Sequence, residues 1–489
     1  MILLLFLAGL LATSWADWQP CAQKVIKDNF SVCVCNATYC DTIQPIGSVP
    51  KGQAVIYISS AAGKRFARTQ TNPAPQRQSG DVLVTLGSNR MQTMMGFGGA
   101  FTDAAGINLR RLPQVLQDQI IQQYYGSDGL NYTYGRVPIA SCDFSTSPYS
   151  YDDTPNDFSL SQFALAPEDG LYKIPYLKKA REVNSNLKLF ASPWSAPAWM
   201  KSTGNMKGGG AMKGDLLGIY YQTYAQYFIR FLEEYNKQGV TFWGVTVQNE
   251  PDTGGDPYFP WQTMYWNAGM ERDFIKVLLG PALQSSPVGK NVGVIINDDN
   301  RNNLPDWANQ ILSDPDAAKY VLGIGVHWYD DKNTPASVLT TTHNNFPNYF
   351  IFGTEACTGW TGNERGVNLG DWARAQDFAD SIINDFLNWV TGWMDWNLVL
   401  NTQGGPNWVN NVVDAPVIVA DNSQEYYKNP LWYVLGHFSI FVPPGAQRLD
   451  FREKTTATST SSLLSTTRPP ELAPSLLSTR TRATQRRLP

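Results

Sequence analysis

The chain is poor in residue types and motifs that mark several common kinds of site. It has only three histidines in 489 residues, and none lies at ligand spacing from a second histidine or an acidic cluster. It has neither a Gly-x-Ser-x-Gly elbow nor a Walker loop. A net charge of −4 and an isoelectric point near 5.5 argue against nucleic acid as a partner. We therefore expect no metal ion, no cofactor and no nucleic acid.

Long apolar runs are also scarce. Beyond residue 16 no stretch reaches the roughly 18 apolar residues that a transmembrane helix needs. Residues 1–16 are apolar and end in small side chains, which fits a signal peptide that is cleaved on secretion. The sequence thus predicts a lumenal or secreted protein, and the sequons at Asn29, Asn36 and Asn131 become candidate glycosylation sites.

Cysteines number only six, and four of them lie within 20 residues of one another: Cys21, Cys33, Cys35 and Cys40. In a secreted chain this crowding favours two disulfides, with three possible connectivities. A zinc site is the competing interpretation, but the absence of a nearby histidine disfavours it. The isolated Cys142 and Cys357 are predicted to be buried structural thiols, because no partner base for a catalytic cysteine can be identified.

Aromatic residues, in contrast, are abundant. They make up 12% of the chain, including 16 tryptophans and 23 tyrosines. Clefts that bind sugars use such flat apolar faces, although the core of a large protein accounts for them equally well.

Strand-like and helix-like segments alternate from about residue 92 onward. Short apolar runs predict strands near 94–101, 131–140, 187–193, 241–248, 292–297, 321–328, 349–354 and 392–400. Amphipathic stretches predict helices between them, for example Leu112–Tyr125, Leu216–Tyr235 and Phe378–Val390. Eight such repeats predict an α/β fold, a (β/α)8 TIM barrel with its active site at the strand ends. A doubly wound sheet is the rival, but Gly96-Phe-Gly-Gly-Ala does not fit its phosphate-binding turn.

Polar and aromatic side chains cluster where the predicted strands end. They are Asp103, Asp143, Trp194, Glu250, Asp298, His327, Glu355 and Trp396. Two carboxyl groups at one barrel mouth are the minimal machinery for cleaving a glycosidic bond, and retaining enzymes hold them about 5–5.5 Å apart.

Glu250 is the candidate general acid, because it follows the apolar run from Phe242 and partial burial there would raise its pKa. The neighbouring Asn249 can donate to a sugar hydroxyl. Glu355 is the candidate nucleophile, with Arg136 as a cation that would keep it ionised. A loop cap at Asn-Glu-Pro and a structural ion pair at Glu355 are the simpler alternatives.

His327 ends the sixth predicted strand, followed by Trp328 and Tyr329. We interpret it as a hydrogen-bond donor to the substrate or the nucleophile. A histidine satisfied within the core is an equally good interpretation.

Composition changes along the chain and suggests the following division. Residues 1–16 are the signal, 17–44 carry the four clustered cysteines, 45–91 contribute the first strands of an all-β satellite domain, 92–430 form the barrel, 431–450 return to barrel and satellite, and 451–489 form a low-complexity tail. The tail is mostly Thr, Ser, Leu, Arg and Pro, without aromatic residues or glycine from 455 onward, and is predicted to be disordered.

Long motifs in a fixed order resemble those of the lysosomal glucosylceramidases, or acid β-glucosidases, a family of retaining glycoside hydrolases with a (β/α)8 barrel. The resemblance runs from Cys21 to about Arg448. Its motifs are Cys33-Val-Cys-Asn-Ala-Thr-Tyr-Cys40, Gly96-Phe-Gly-Gly-Ala-Phe-Thr-Asp-Ala, Arg136-Val-Pro-Ile-Ala-Ser-Cys-Asp-Phe-Ser, Ala191-Ser-Pro-Trp-Ser-Ala-Pro, Gln248-Asn-Glu-Pro, Val326-His-Trp-Tyr, Thr354-Glu-Ala-Cys, Asp395-Trp-Asn-Leu and Gly404-Gly-Pro-Asn-Trp-Val.

The resemblance implies roles for individual residues. Glu250 would be the acid/base and Glu355 the nucleophile. The residues implied to hold glucose or line the entrance are Asp143, Trp194, Asn249, Trp396 and Asn411, and those implied to support the nucleophile are Arg136, His327 and Tyr329. The implied disulfides are Cys21–Cys33 and Cys35–Cys40.

The resemblance also implies hydrolysis of glucosylceramide in membranes, with anionic lipid and a saposin-type activator as partners, after delivery to the lysosome through the secretory pathway, or secretion. A related retaining β-glycosidase with another substrate is one alternative. A shortened, unstable form that only binds glycolipid is the other. This second alternative arises because the family continues with further β-sandwich strands where this chain has its tail, so we expect an incomplete sandwich whose strands near 54–60 and 81–86 lack partners.

Overall fold

The computed structural model describes residues 18–72, 83–454, 461–467 and 475–479. The predicted signal peptide, residues 1–16, lies outside the described residues. Five strands precede the barrel: β1 Gln23–Lys27, β2 Phe30–Asn36, β3 Ala54–Ile58, β4 Ala67–Thr71 and β5 Leu83–Thr93. The disulfides Cys21–Cys33 and Cys35–Cys40 tie the first two strands to their flanking residues, which confirms both implied pairs.

Eight parallel strands close into a barrel, as the sequence predicts. In chain order they are β6 Gly96–Ala100, β7 Tyr134–Ile139, β8 Lys188–Pro193, β9 Gly244–Thr246, β10 Gly293–Asn300, β11 Val321–His327, β12 Phe350–Glu355 and β13 Val390–Asn397. Their side chains are buried almost throughout, because the barrel interior covers one face and the helices the other. All carboxyl ends therefore open on the same side.

Helices surround this barrel. They are α1 Asp103–Arg111, α2 Gln114–Tyr125, α3 Ile174–Val183, α4 Ile219–Lys237, α5 Ala268–Phe274, α6 Gly280–Ser285, α7 Asp306–Leu312, α8 Pro315–Ala318, α9 Ser337–Asn345, α10 Trp372–Leu387 and α11 Pro430–Ser439. The predicted helix Phe378–Val390 is displaced. It begins earlier because the Asp371 side chain caps it through Ala373 N (2.9 Å), and Val390 already belongs to β13.

Six strands follow the barrel: β14 Val399–Asn401, β15 Val417–Val419, β16 Glu425–Lys428, β17 Gln447–Lys454, β18 Ser461–Thr467 and β19 Ser475–Thr479. One sheet has the order β1-β2-β16-β15-β14, so the N-terminal disulfide-bearing strands pair with chain that follows the barrel. Lys428 anchors this sheet, since its buried Nζ lies 2.8 Å from Asp41 Oδ1.

The satellite strands have partners, contrary to the expectation. β3 pairs with β4, and β5 pairs with β17 in a sheet ordered β19-β18-β17-β5. Where the structure describes the tail, it forms strands rather than unstructured chain. The physical reason is that Thr favours and Ser and Leu tolerate extended backbone, so that β18 and β19, which lie close together in the sequence, pair antiparallel.

Candidate active site

A cavity of about 430 Å³ opens at the carboxyl ends of the barrel strands. Its lining contains eight of the ten residues predicted for the site: Asp143, Trp194, Asn249, Glu250, Tyr329, Glu355, Trp396 and Asn411. The remaining two, Arg136 and His327, are buried directly behind the lining, where they contact its carboxylates.

Two glutamates face each other in this cavity. Glu250 follows β9 in a left-handed conformation (φ 45°, ψ 61°), and its backbone N–H donates to the carbonyl of Asp298 (3.0 Å). Glu355 ends β12 and is only 7% exposed. A carboxylate oxygen of one lies within 4.8 Å of a carboxylate oxygen of the other. That separation agrees with the close spacing of retaining glycosidases, about 5–5.5 Å, rather than the roughly 6.5–9.5 Å of inverting enzymes.

Both oxygens of Glu355 have donors. Arg136 Nη1 donates to Oε2, and the Tyr329 hydroxyl donates to Oε1 over 2.7 Å. Burial raises the pKa of Glu355, while the charges of Arg136 and His327 and the hydrogen bond from Tyr329 oppose that rise. The donors thus stabilise the ionised carboxylate against the cost of its burial.

His327 bonds the other glutamate. Its Nδ1 lies 3.2 Å from Glu250 Oε1, and its Nε2 lies 3.1 Å from Asp298 Oδ1. Burial lowers the pKa of His327, but the charge of Glu355 and the bonds to Asp298 and Glu250 outweigh it and raise the pKa to about 10. The partners of the histidine are therefore the predicted acid and a second carboxylate, rather than the predicted nucleophile.

Two indole rings form one wall. Trp194 and Trp396 stack with centroids 5.1 Å apart, and the guanidinium carbon of Arg136 lies 5.0 and 5.4 Å from their ring centroids. Flat apolar faces of this kind suit the C–H face of a sugar. The Asn249 amide oxygen accepts from Arg136 Nη2 (2.7 Å), which leaves its amino group to donate.

Asp143 also lines the cavity. Its Oδ2 accepts from Asn411 Nδ2 (2.9 Å) and from Asn407 Nδ2 (3.3 Å). Burial raises the pKa of Asp143 to about 7, and the bond from Asn411 opposes this rise. A buried acid with amide partners can bond sugar hydroxyls as donor or acceptor.

Some predicted residues lie elsewhere or have other surroundings. Asp103 turns away from the cavity and pairs with the buried Lys173 (3.4 Å). Cys142 and Cys357 are buried free thiols, and burial raises the pKa of both well above the usual value, as expected of unreactive cysteines.

Sequence reasoning missed the rim of the cavity. Phe259, Trp261, Trp360 and Arg365 line it from loops, and Tyr258 beside them is 89% exposed. These rim residues could have been predicted from the high density of aromatic residues in the loops that follow the fourth and seventh barrel strands.

Two groups of side chains have the spacing of a cation site among the described residues. Cys35, Cys40 and Asp41 form one, but both cysteines are in a disulfide. Glu250, His327 and Glu355 form the other. In this second group both nitrogens of His327 already face carboxylates, and Arg136 already forms an ion pair with Glu355. The negative charge of the carboxylates is therefore balanced by side chains of the protein itself.

No helix within the described part of the chain combines the length and apolarity that crossing a membrane requires.

Comparisons with protein families, protein sequences and solved structures agree with one another. Residues 94–442 match the glycosyl hydrolase family 30 TIM-barrel domain. Putative glucosylceramidase 4 of Caenorhabditis elegans is 54% identical over 448 residues, which cover 91% of this chain and 86% of that protein. The lysosomal acid glucosylceramidase of Mus musculus is 45% identical over 442 residues, which cover 90% and 85% of the two chains.

A solved structure is also similar. The crystal structure of SrfJ from Salmonella typhimurium superposes with a TM-score of 0.77 at 26% identity, covering 86% of this chain and 90% of that one. The resemblance thus extends to the whole fold as well as to the motifs.

Proposed function

The chain belongs to glycosyl hydrolase family 30, and on that premise we propose that it is a retaining β-glucosidase that hydrolyses glucosylceramide to glucose and ceramide. One observation carries the proposal. Two carboxylates lie within 4.8 Å of each other at the barrel mouth, and their partners differ. Arg136 and Tyr329 donate to Glu355, which suits an ionised nucleophile, while Glu250 contacts only His327 among these groups.

The reaction has two steps in this proposal. In the first, Glu355 attacks the anomeric carbon while Glu250 gives its proton to the glycosidic oxygen, so that the bond to ceramide breaks and a glucosyl ester forms. In the second, Glu250 takes a proton from water, whose oxygen attacks the anomeric carbon and displaces Glu355. Glucose leaves with retained configuration, and both carboxyl groups return to their starting states.

Glucose recognition is assigned to the walls of the cavity. Trp194 and Trp396 stack against the sugar ring, and the free amino group of Asn249 donates to a hydroxyl near the reacting carbon. Asp143 bonds further hydroxyls, with Asn411 orienting its carboxyl group.

The aglycone is assigned to the aromatic rim. Phe259, Trp261 and Trp360 line the cavity at its rim and offer an aromatic surface on which the apolar chains of ceramide can pack. The proposal includes peripheral contact with membranes that contain anionic lipid, assisted by a saposin-type activator. It places the protein in the lysosome after passage through the secretory pathway, and two disulfides support such an oxidising route.

Purified protein is expected to release glucose from glucosylceramide in anionic vesicles at acidic pH, and from a fluorogenic β-glucoside. Galactosylceramide and a short β-glucan are the matched comparisons, since each changes either the sugar or the aglycone. Faster cleavage of either comparison substrate would favour a related β-glycosidase. Binding of glucosylceramide without release of glucose would favour the glycolipid-binding alternative.

Tyr329→Phe is expected to move the acidic limb of the pH profile of kcat/KM to higher pH. A hydrogen bond to the ionised form lowers a pKa, so its loss raises the pKa of Glu355. The nucleophile reacts when ionised, so activity persists well above that pKa and is lost as the pH falls through it. A rise of about one unit would cost roughly tenfold in activity on the acidic limb.

The matched control is Tyr349→Phe. It removes a hydroxyl that donates only to the Ala318 carbonyl (3.2 Å), outside the cavity. Its acidic limb should coincide with that of the unmodified protein. An unshifted limb in Tyr329→Phe would contradict the role given to this hydroxyl.

A further inference from the structure

We infer that Asp298 is a positioning residue that fixes the relative positions of the two active-site glutamates, Glu250 and Glu355. The inference rests on the proposed glycosidase function and concerns a residue that touches neither the cavity nor a sugar within it. Asp298 lies at the end of β10 and is completely buried.

Asp298 reaches the predicted acid in two ways. Its backbone carbonyl accepts from the N–H of Glu250 (3.0 Å), which fixes the left-handed turn that carries this residue. Its Oδ1 faces His327 Nε2 (3.1 Å), whose other nitrogen faces Glu250 Oε1 (3.2 Å). The main chain and the side chain of the same glutamate are therefore both tied to Asp298.

The second carboxylate oxygen reaches the predicted nucleophile. Asp298 Oδ2 accepts from Arg136 Nη2 (2.8 Å), and the same guanidinium donates from Nη1 to Glu355. Ser192 and Thr246 also donate to Oδ2, over 3.0 and 2.8 Å. Because Asp298 holds one edge of the planar Arg136 guanidinium, the nitrogen that donates to Glu355 has little freedom to move, and the position of Glu355 is fixed with it.

The backbone is shaped to make these contacts. Asn297 and Asp298 have φ angles of 72° and 47°, the left-handed region that residues with a side chain adopt uncommonly, Asn and Asp more readily than most. The Asn297 amide stabilises the turn by donating to the carbonyls of Asp299 and Gly325, each over 2.9 Å. A strand that merely ended here would need neither residue in this conformation.

The histidine geometry requires a charge at Asp298. Both ring nitrogens of His327 face carboxylate oxygens, and a neutral imidazole can donate from only one of them. A ring that donates to two ionised carboxylates is an imidazolium, and the raised pKa of His327 agrees with that form. Two cations, Arg136 and His327, then face three carboxyl groups, and Asp298 is the carboxylate that contacts both cations.

Further ionisable or hydroxyl groups surround Asp298 and contribute to its electrostatics. They are Ser192 on β8, Thr246 on β9, Glu271 on α5, Asp299 on β10 and Thr354 on β12. Although burial favours the neutral form, the charges of Arg136 and His327 hold the pKa of Asp298 well below its usual range.

Asp298→Asn tests the inference, because it keeps the size of the side chain while it removes the charge and replaces one of the two acceptor oxygens with an amino group. We expect kcat to fall about 100-fold, with KM little changed, since misplacing catalytic groups by about 1 Å has this effect. The loss should appear both with a fluorogenic β-glucoside and with a dinitrophenyl β-glucoside that needs no acid. Removing an anion lowers the pKa values of Glu355 and His327, so both limbs of the pH profile should move to lower pH.

The three histidines supply a readout that does not depend on activity. Burial lowers the pKa of His343, and lowers that of His437 to about 4, so in nitrogen-15-labelled protein at about pH 8 only His327 should give imidazolium signals. In Asp298→Asn we expect these signals to become those of a neutral ring at the same pH.

The matched control is Asp169→Asn, which neutralises a buried carboxylate paired with Lys173 (3.2 Å) outside the site. It should lower the melting temperature but leave the pH profile and the His327 signals unchanged. Asp298→Asn with unchanged kcat and unshifted limbs, or with His327 neutral already in the unmodified protein, would overturn the inference. Absence of hydrolysis by the unmodified protein, with the expected histidine signals, would instead refute the proposed function.

Discussion

Replacing Glu355 with glutamine is expected to lower kcat by about 10⁴–10⁶-fold on every β-glucoside, the scale seen when a hydrolase loses a member of its nucleophilic machinery. Glutamine is nearly isosteric but cannot form the glucosyl ester. The loss should not depend on the leaving group, because attack at the anomeric carbon precedes or accompanies every bond cleavage. Steady-state kinetics with an activated and an unactivated glucoside measure it directly.

Covalent labelling identifies the nucleophile independently of turnover. A mechanism-based cyclitol epoxide should esterify the unmodified protein at Glu355, and peptide mass spectrometry should locate the adduct there. Glu355→Gln should remain unlabelled, whereas Asp169→Asn should label normally. An adduct on Glu250, or labelling of Glu355→Gln, would contradict the assignment of Glu355 as the nucleophile.

Replacing Glu250 with glutamine is expected to lower kcat by about 10²–10⁴-fold on glucosylceramide, the usual contribution of a general acid. Ceramide is a poor leaving group and needs the proton, whereas dinitrophenolate does not, so the first step with the activated glucoside should be nearly unaffected. The second step still lacks its base, and the glucosyl ester should accumulate.

Added azide separates this role from a structural one. Azide needs no general base, so it should restore turnover of the activated glucoside by Glu250→Gln and yield β-glucosyl azide. It should have no such effect on Glu355→Gln. An α-configured product would contradict the retaining mechanism, and equal losses in the rate of the first step with both substrates would contradict the role of Glu250 as the acid.

The barrel was predictable from the sequence because each of its strands corresponds to a recognisable local pattern of residues. Runs such as Phe350–Glu355 are short and apolar, and the polar residue that ends each run marks the side on which the cavity opens. The helix boundary at Trp372 was missed, since it depends on a single capping carboxylate at Asp371.

The pairing of the satellite strands was not predictable in the same way. In the sequence, β5 and β17 are separated by the entire barrel, and the residue pattern of one strand does not predict that it pairs with the other. Asp103 illustrates the same difficulty within the barrel. It follows a barrel strand as a predicted site residue does, but Lys173, directly before α3, holds it in a separate ion pair.

The sequence by itself determined the kind of fold, the two glutamates and the aromatic and amide residues around them, because strand patterns and motifs are short-range properties of the chain. Only the tertiary structure decided that the two carboxylates lie within 4.8 Å, that His327 faces Glu250, and that Asp298 joins the two halves of the site. These distances arise when eight strands from far apart in the chain close into one ring. Closure brings Arg136, Asp298 and Glu355 together from β7, β10 and β12, and no local pattern encodes that meeting.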